Sequence, residues 1–497
     1  MGTIAGPAGS ARPQGRVGLG TKLAYGFGSI AYGIKDNGFQ TLLMLYYNQV
    51  IGVPAHLVGL AMMVALVLDA FIDPVIGQLS DQTRSKLGKR HPWMYAAALP
   101  VGLLYLLLWH PPVGNPLVTV SYLVGVAILI RTAISCYEVP SAALAPELTQ
   151  DYHERTSVLG YRYLFGWFGG IAMVVLTFGW LLQPTPEYPL GQLNPQGYKD
   201  YAVIASIVMI AAILISALGT HRRAAELAKL NPPEPRKSLR GNFQAIMTAF
   251  RHRSFLILTL AGVFAYTNQG INAALSTYIN TYVWVLPADI IGVLMVATLA
   301  GVVAAFAIAG PLSRWMGKRE AAILCIAIYL VMSLVPLSLR YAGLFMSNAD
   351  PLLVPVLMGF VVLGTAFGVA NAILGASMMS DVVEEAEEKT GERQEGVFFA
   401  GSFFMQKCIS GIGLFVAGAI LTAVSFPAGA LPGQVPPAVL DNLVLTYCVI
   451  KLVLGVLTIA VLIRFPITRA HHEQRLARLA QMASHSAPLP GSEPELR

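Results

Sequence analysis

The sequence predicts an all-α membrane protein with twelve transmembrane helices in two pseudo-symmetric six-helix bundles. Three observations predict this fold: the composition, the presence of twelve long apolar stretches, and one long polar segment between the sixth stretch and the seventh. Of the 497 residues, 55% are hydrophobic and only 12% are charged, which is far from the composition of water-soluble globular chains. A soluble enzyme and a disordered chain are therefore excluded.

Each apolar stretch is long enough to cross a bilayer as a helix, which needs about 20 apolar residues. Barrel strands are not expected, because the stretches exceed the roughly 9 to 11 residues of a membrane strand and do not alternate in polarity. The predicted crossings lie near residues 22–49, 55–80, 92–111, 116–147, 156–183, 200–219, 254–285, 287–312, 319–342, 352–382, 395–426 and 440–465.

The distribution of lysine and arginine predicts the orientation of these helices. If the N-terminus is cytoplasmic, most basic residues fall on cytoplasmic segments or helix ends, and only Lys199 and Arg340 face outward. This asymmetry is the positive-inside pattern, so we expect a cell (inner or plasma) membrane protein with both termini in the cytoplasm. The excess of 33 basic over 26 acidic residues is then a topology signal, and no nucleic-acid partner is expected.

The longest polar segment, residues 221–253, divides the chain into two halves. The predicted organisation is a cytoplasmic arm (1–21), an N-terminal bundle (22–220), a cytoplasmic linker (221–253), a C-terminal bundle (254–466) and a cytoplasmic tail (467–497).

A weak internal repeat agrees with a duplicated bundle. Both copies lie between the second and third crossings of their half, as the duplication requires. The first copy is Gly77-Gln-Leu-Ser80 followed by Gly88-Lys-Arg90, and the second is Gly310-Pro-Leu-Ser313 followed by Gly317-Lys-Arg319.

Several ionisable residues fall within the predicted crossings, where each costs about 2.5 to 3.5 kcal/mol even on lenient insertion scales. Each of them therefore needs a partner or a wet cavity. They lie mostly in the N-terminal half, and they are Lys35, Asp36, Asp69, Asp73, Arg131, Glu138, Arg162, Lys407 and Lys451.

Asp69 and Asp73 are four residues apart, so both carboxylates lie on one face of the second helix. Two such groups repel each other unless they share a proton or a metal ion, which is what a cation-coupling site needs. Ser135 and Glu138, three residues apart on the fourth helix, add a hydroxyl and a third carboxylate. The alternative is that these acids pair with Arg131, Arg162 or Lys407 only to hold helices together, and we interpret Arg131 as such a helix-pairing charge.

Enzymatic activity is not predicted. The sequence contains no HExxH zinc motif and no phosphate-binding Gly-x4-Gly-Lys-Ser/Thr loop. Its four cysteines have no metal-ligand spacing, so no structural metal or disulfide framework is expected. No cofactor is expected beyond a coupling ion.

A resemblance to a known family covers nearly the whole chain. The second and third helices carry Asp69-Ala-Phe-Ile-Asp73-Pro-Val-Ile-Gly77, then Asp81-Gln-Thr-Arg84, then Gly88-Lys-Arg-His-Pro-Trp93. This order resembles the glycoside-pentoside-hexuronide:cation symporters, the melibiose-permease-like branch of the major facilitator superfamily. The resemblance implies the major facilitator fold and a solute symporter driven by H+ or Na+ that works by alternating access.

The resemblance also implies roles for individual residues. It implies a cation site at Asp69, Asp73 and Ser135, with Glu138 shared between the cation and the substrate. Asp36, Arg162 and Lys407 join Glu138 at the family's substrate positions, with Lys407 also reaching toward the cation. A cytoplasmic gating network is implied at Asp81, Arg84, Asp381, Arg393 and Glu395.

Three departures from the family pattern leave the coupling ion and the substrate open. Ile72 stands between the two acids where sodium-using relatives carry an oxygen-bearing side chain, so proton coupling is at least as well favoured as sodium coupling. Ala142 and Ala372 replace aromatic residues that sandwich the sugar ring, and the fourth-helix acid is a glutamate. The family implies a glycoside as the solute. The alternative is a lysophospholipid, whose acyl tail suits a cavity with Phe398, Phe399, Phe403 and Phe404. The chain is expected to contact membrane lipid and to act as a monomer.

Overall fold

The computed structural model describes residues 17–149, 151–228, 247–390 and 395–466. Within these ranges the chain is helical, with short connections and no β-strand. The prediction of an all-α membrane protein is confirmed. Much of the predicted arm and linker, the predicted tail and Arg393 lie outside the described residues.

The α-helices of the described chain have bounds close to those of the predicted crossings. In chain order they are α1 Leu19–Phe27, α2 Ser29–Asn37, α3 Leu43–Leu45, α4 Ala55–Gln82, α5 His91–Leu108, α6 Pro116–Leu148, α7 Tyr152–Leu176, α8 Pro195–Ala228, α9 Arg253–Tyr278, α10 Ala288–Met316, α11 Lys318–Tyr341, α12 Leu353–Thr390, α13 Glu395–Ala423 and α14 Pro437–Leu462.

Eleven helices of the described chain are long and apolar enough to cross a membrane. The first predicted crossing is the exception, because it is divided into α1, α2 and α3 by a turn at Gly28 and by wide π-helical segments at Gly38–Leu42 and Tyr46–Val50. Residues 19–50 nevertheless follow one largely helical course. The structure is therefore consistent with twelve crossings.

The helix ends follow from local sequence. The Asn115 side chain accepts a hydrogen bond from the Leu117 backbone N–H at 3.0 Å at the start of α6, and Asp151 accepts one from Glu154 at 2.7 Å at the start of α7. Such caps satisfy N–H groups that have no partner inside the helix.

The two copies of the internal repeat occupy equivalent places. The first copy runs from the end of α4 to the start of α5, and the second from the end of α10 to the start of α11. Gly88 has φ 86° and Gly317 has φ 92°, a left-handed conformation that glycine adopts without strain. The shared glycine conformation supports the duplication inferred from sequence.

The chain divides into two compact units. The first comprises Met1–Gly241, Gln269–Val296 and Lys407–Leu443, and the second comprises Asn242–Asn268, Ala297–Gln406 and Val444–Arg497. The first unit thus joins the N-terminal half to two segments of the C-terminal half. The division into two six-helix halves at residues 221–253 stays a prediction.

Small residues bring together the helices that carry the charges. A Cβ atom added to Gly33 of α2 would collide with the backbone of Gly166 on α7, and one added to Gly170 of α7 would collide with Gly33 and Asn37. Side chains larger than glycine would force α2 and α7 apart. Their close contact places the Lys35–Asp36 pair and Arg162 in one region of the first unit.

Candidate functional site

The structure places the two carboxylates of α4 around one lysine ammonium. Lys407 Nζ of α13 donates a hydrogen bond to Asp69 Oδ2 at 3.0 Å and also binds Asp73 Oδ2. All three residues belong to the first unit. A monovalent positive charge is therefore held between the two acids, as the spacing on α4 requires.

Ser135 lies against both acids from the facing helix, α6. Its hydroxyl oxygen is 3.0 Å from Asp69 Oδ1 and 2.6 Å from Asp73 Oδ1. A hydroxyl carries one proton and donates to one carboxylate at a time. With both carboxyl groups ionised the hydroxyl donates to one of them, and with one of them protonated both contacts are hydrogen bonds. The arrangement thus has the chemistry to hold a proton as well as a lysine ammonium.

The two acids differ in their surroundings. Asp69 has 1% of its side chain exposed, whereas Asp73 has 25% and Lys407 has 29%. Asp69 also accepts a hydrogen bond on Oδ2 from Arg131 NH1 at 3.1 Å. Asp69 is thus a buried carboxylate with two cationic partners, and Asp73 is an accessible one whose cationic partner is Lys407.

Arg131 is the residue that sequence reasoning did not assign to the site. Its side chain is 5% exposed, its guanidinium carbon lies 4.6 Å from the centre of the Phe39 ring, and its Nε has no hydrogen-bond partner among the described residues. Arg131 joins α6 to α4 through its ion pair with Asp69, and its interpretation as a helix-pairing charge stays a prediction. Its spacing of four from Ser135, matching Asp69 and Asp73, is the sequence signal that places it on the same face of α6.

A second charged group lies on α2, α6 and α7. Lys35 Nζ is 2.8 Å from Asp36 Oδ1 and 3.9 Å from Glu138 Oε2. Asp36 has 42% of its side chain exposed and Glu138 has 30%, whereas Lys35 has 3%. The acidic oxygens of this group are therefore accessible, while the lysine that balances them is buried.

Arg162 is fixed beside this second group by contacts on several sides. Its NH1 donates to Ser141 Oγ at 3.0 Å, its NH2 donates to the backbone carbonyl of Glu138 at 3.4 Å, and its guanidinium carbon lies 5.1 Å from the centre of the Tyr32 ring. The Tyr32 hydroxyl donates in turn to the Arg162 carbonyl at 3.3 Å. Such a rigid guanidinium is suited to orienting a polar solute.

The structure thus separates the predicted site residues into two neighbouring groups. Asp69, Asp73 and Ser135 meet around the Lys407 ammonium. The Glu138 carboxylate lies 3.9 Å from Lys35 and also interacts electrostatically with Lys407. Taken together the two groups hold as many acidic as basic side chains, so their formal charges cancel when all are ionised. These side chains are Asp36, Asp69, Asp73 and Glu138 with Lys35, Arg131, Arg162 and Lys407.

Two of the predicted gating residues, Asp81 and Asp381, bind basic residues of their own sequence half. Asp81 binds Arg90, whose Nε donates to Glu147 Oε1 at 3.0 Å, and Asp381 accepts from Lys318 Nζ at 2.6 Å. Arg84 and Glu395 are exposed, and Arg393 lies outside the described residues. Their gating role stays a prediction.

The remaining residues singled out by sequence lie as follows. Phe398 is buried and contacts the rings of Phe255 and His252, with centroids 5.2 and 5.7 Å away, whereas Phe403 is exposed. Ala142 and Ala372 are exposed. Buried Lys451 donates to the Tyr447 hydroxyl at 2.9 Å and packs 5.0 Å from the Tyr329 ring. Across residues 17–466, in the parts that the structure describes, no three His, Cys, Asp or Glu side chains are grouped so as to hold a metal ion.

Comparison with protein families gives one match over most of the chain. The family model described as MFS/sugar transport protein, where MFS denotes the major facilitator superfamily, matches residues 24–469. Two individual relatives share between a quarter and a third of their aligned residues with this chain. An uncharacterized symporter of Synechocystis sp. is 28% identical over 91% of this chain and 95% of its own. The putative glycoside/cation symporter YagG of Escherichia coli is 25% identical over 87% of this chain and 88% of its own.

Solved structures share the fold. The inward-open xylose transporter XylE from E. coli is similar to this chain with a TM-score of 0.60 and 14% identity, covering 92% of this chain and 98% of its own. At this identity the likeness shows the fold alone.

Proposed function

Because the chain belongs to the MFS/sugar transport protein family, a family of multi-pass membrane transporters, we propose that it couples the movement of a glycoside-type solute to that of a cation. The carboxylate pair of α4 is the coupling site, and the group around Asp36, Glu138 and Arg162 is the solute site. Alternating access of the two sites to the two sides of the membrane converts the cation gradient into solute accumulation. The name of the glycoside/cation symporter among the relatives supports this proposal.

The observation that carries the proposal is the position of the Lys407 ammonium between Asp69 and Asp73. A site whose carboxylates hold one lysine ammonium has the negative charge that is needed to bind one monovalent cation in its place. Because Lys407 lies on α13 and the acids lie on α4, its ion pairs link two distant parts of the sequence. A cation that replaces Lys407 at Asp73 breaks this ion pair between α13 and α4. Cation binding at α4 can thereby be coupled to movement of α13.

The partly exposed carboxylates of Asp36 and Glu138 supply the chemistry for a glycoside. Vicinal hydroxyl groups of a sugar donate hydrogen bonds to carboxylate oxygens, and charged hydrogen bonds contribute more than neutral ones. Arg162, held by Ser141 and by the Glu138 carbonyl, adds a fixed positive charge beside these carboxylates. Of the four phenylalanines that favoured a lysophospholipid, Phe398 lies in the core of the second unit and offers no surface for an acyl tail, whereas Phe403 is exposed.

The remaining features of the proposal follow from the family and the charge distribution. The chain acts as a transporter and not as an enzyme, in a cell membrane, with both termini in the cytoplasm. It works as a monomer in contact with lipid. The coupling cation is H+ or Na+.

A direct test uses the purified chain with a panel of glycosides and lysophospholipids. We expect a glycoside to raise the unfolding temperature and to be taken up by proteoliposomes, because ligands that bind only the folded state stabilise it. Asp36→Asn should weaken glycoside binding about tenfold, the value of one charged hydrogen bond. The matched control is Asp200→Asn, an exposed acid of α8 whose carboxylate accepts a hydrogen bond from Gln196. Response to a lysophospholipid without response to any glycoside would overturn the assignment of the solute.

A buried polar network in the first unit is the proposed gate. Gln49, 3% exposed, donates to Asn48 Oδ1 at 2.6 Å and to the Pro427 carbonyl at 3.2 Å. Its Oε1 accepts from the Tyr282 hydroxyl at 2.9 Å and from the Ala430 N–H at 3.1 Å. One amide thus joins the end of the first crossing to two segments of the C-terminal half. These bonds must break when the segments separate.

Gln49→Ala is expected to favour separation of these segments, because it removes all four hydrogen bonds of the amide. With about 1 kcal/mol of net value per bond, loss of two to four bonds shifts the equilibrium about thirtyfold or more. The measurement is the rate at which a thiol reagent modifies a cysteine placed at buried Val283 in a background without the native cysteines. Gln183→Ala is the control, because in the described chain the Gln183 side chain donates to the nearby carbonyls of Gly179 and Trp180 rather than across segments. Equal modification rates with and without the Gln49→Ala substitution would exclude Gln49 from the gate.

A further inference from the structure

We propose that Arg131 determines the ion specificity of the carboxylate pair: its guanidinium is a built-in cation that excludes Na+ and Li+ and leaves H+ as the coupling ion. The inference rests on the proposed function, because it concerns the same coupling site. It goes beyond it by assigning the choice between a proton and a metal ion to one residue.

The first step is the occupancy of the carboxylate oxygens. Asp69 Oδ2 accepts from both Arg131 and Lys407, and Asp69 Oδ1 faces the Ser135 hydroxyl. Asp73 faces Ser135 and Lys407. A hard metal ion needs about six oxygen ligands. Here each of the four carboxylate oxygens already faces a nitrogen donor or the serine hydroxyl, and Ile72 adds no oxygen.

The second step is the charge. Asp69 and Asp73 carry two negative charges, and Arg131 and Lys407 carry two positive ones. With both basic side chains in place the pair is neutral, and when Lys407 withdraws, Arg131 leaves one net negative charge. One proton neutralises that charge on a single carboxylate oxygen, whereas a hard metal ion also needs about six oxygen ligands, which the pair does not offer while Arg131 occupies Asp69. Without Arg131 the same acids and Lys407 would carry one net negative charge, which one monovalent ion neutralises.

The third step is the difference in freedom between the two basic residues. Lys407 has 29% of its side chain exposed, and a flexible stem allows its ammonium to withdraw into water. Arg131 has 5% exposed, packs against the Phe39 ring, and has its Nε buried without a hydrogen-bond partner in the described chain. Its guanidinium has no comparable route away from Asp69. The exchangeable partner is therefore Lys407, and Arg131 is the permanent one.

The test measures ion binding by the purified full-length chain. Unfolding temperatures are compared in sodium, lithium and choline chloride at equal ionic strength and constant pH. We expect the three salts to act alike on the wild type. We expect sodium or lithium to raise the unfolding temperature of Arg131→Gln above its value in choline. The rise should saturate as expected for a single binding site, with an ion affinity about tenfold or more above that of the wild type. Arg131→Lys, which keeps the positive charge, should respond little to sodium.

Two further variants keep the inference testable if Arg131→Gln does not fold. Ile72→Asn adds an oxygen ligand while Arg131 stays in place, and we expect no sodium response from it. Lys451→Met removes a buried cation that interacts with tyrosines instead of the carboxylate pair, and it should not create a sodium response either.

The outcomes are distinct from those of the proposed function. Sodium-specific stabilisation of the wild type or of Ile72→Asn would overturn the role of Arg131 but leave symport intact. A folded Arg131→Gln variant without any metal-ion response would overturn it as well. Failure of the chain to move any solute would instead contradict the proposed function.

Discussion

Asp69→Asn is expected to be the most destabilising single substitution in the charged region. The carboxylate is 1% exposed and is the acceptor for both Arg131 NH1 and Lys407 Nζ. An asparagine keeps the shape but removes the negative charge, so Arg131 becomes a buried cation without compensation. Removing one partner of a buried ion pair costs about 3–5 kcal/mol. We expect a large fall in unfolding temperature, measured on the purified chain, together with loss of uptake.

A double substitution tests whether the uncompensated charge of Arg131, rather than the changed side chain at position 69, causes the loss of stability. Asp69→Asn combined with Arg131→Gln removes both members of the buried pair and should recover most of the lost stability, because no uncompensated charge remains. Asp200→Asn is the control for an exposed acid. If Asp69→Asn unfolded at the same temperature as the wild type, the ion pairs of Asp69 would not stabilise the fold.

Asp73→Asn is expected to abolish accumulation of the solute while the protein stays folded. Asp73 keeps a quarter of its side chain exposed, and Lys407 retains Asp69 as a partner when Asp73 is neutralised. The substitution leaves no accessible carboxylate beside Lys407 for the transported cation. Uptake into proteoliposomes against a concentration gradient should fall to the level of empty liposomes, whereas exchange of solute at equal concentrations should continue.

The comparison of Asp69→Asn with Asp73→Asn carries more information than either result alone. We expect a chiefly structural contribution from the first acid and a coupling contribution from the second. A folded Asp73→Asn variant that accumulates solute as the wild type does would show that the coupling ion binds elsewhere.

The positions of the helices and of the acid pair were predictable from the sequence. Long apolar stretches report on the bilayer thickness, and a spacing of four places Asp69 and Asp73 on one face whatever the rest of the fold. The prediction that Lys407 reaches toward these acids came from the family resemblance. Spacing could not provide it, because Lys407 and Asp69 are 338 positions apart in the chain. The structure brings them together as that resemblance implied.

The pairing of Arg131 with Asp69 and the place of Glu138 were not predictable in the same way. Which side chains of α6 face α4 depends on the rotation and axial offset of two packed helices, and periodicity within one helix does not specify these quantities. The same limit applies to Gln49, a polar residue at the end of an apolar stretch whose partners lie far along the chain. The wide turns within residues 19–50 likewise have no sequence signature of their own.

The central claim is that a solute and a cation cross the membrane together, and that the cation binds at the carboxylate of Asp73. The most direct measurement is cation entry into proteoliposomes triggered by adding the solute to the outside without any imposed gradient. The account predicts that the solute drives cation entry in the wild type and that Asp73→Asn eliminates it. Solute entry without accompanying cation movement in the wild type would contradict the account.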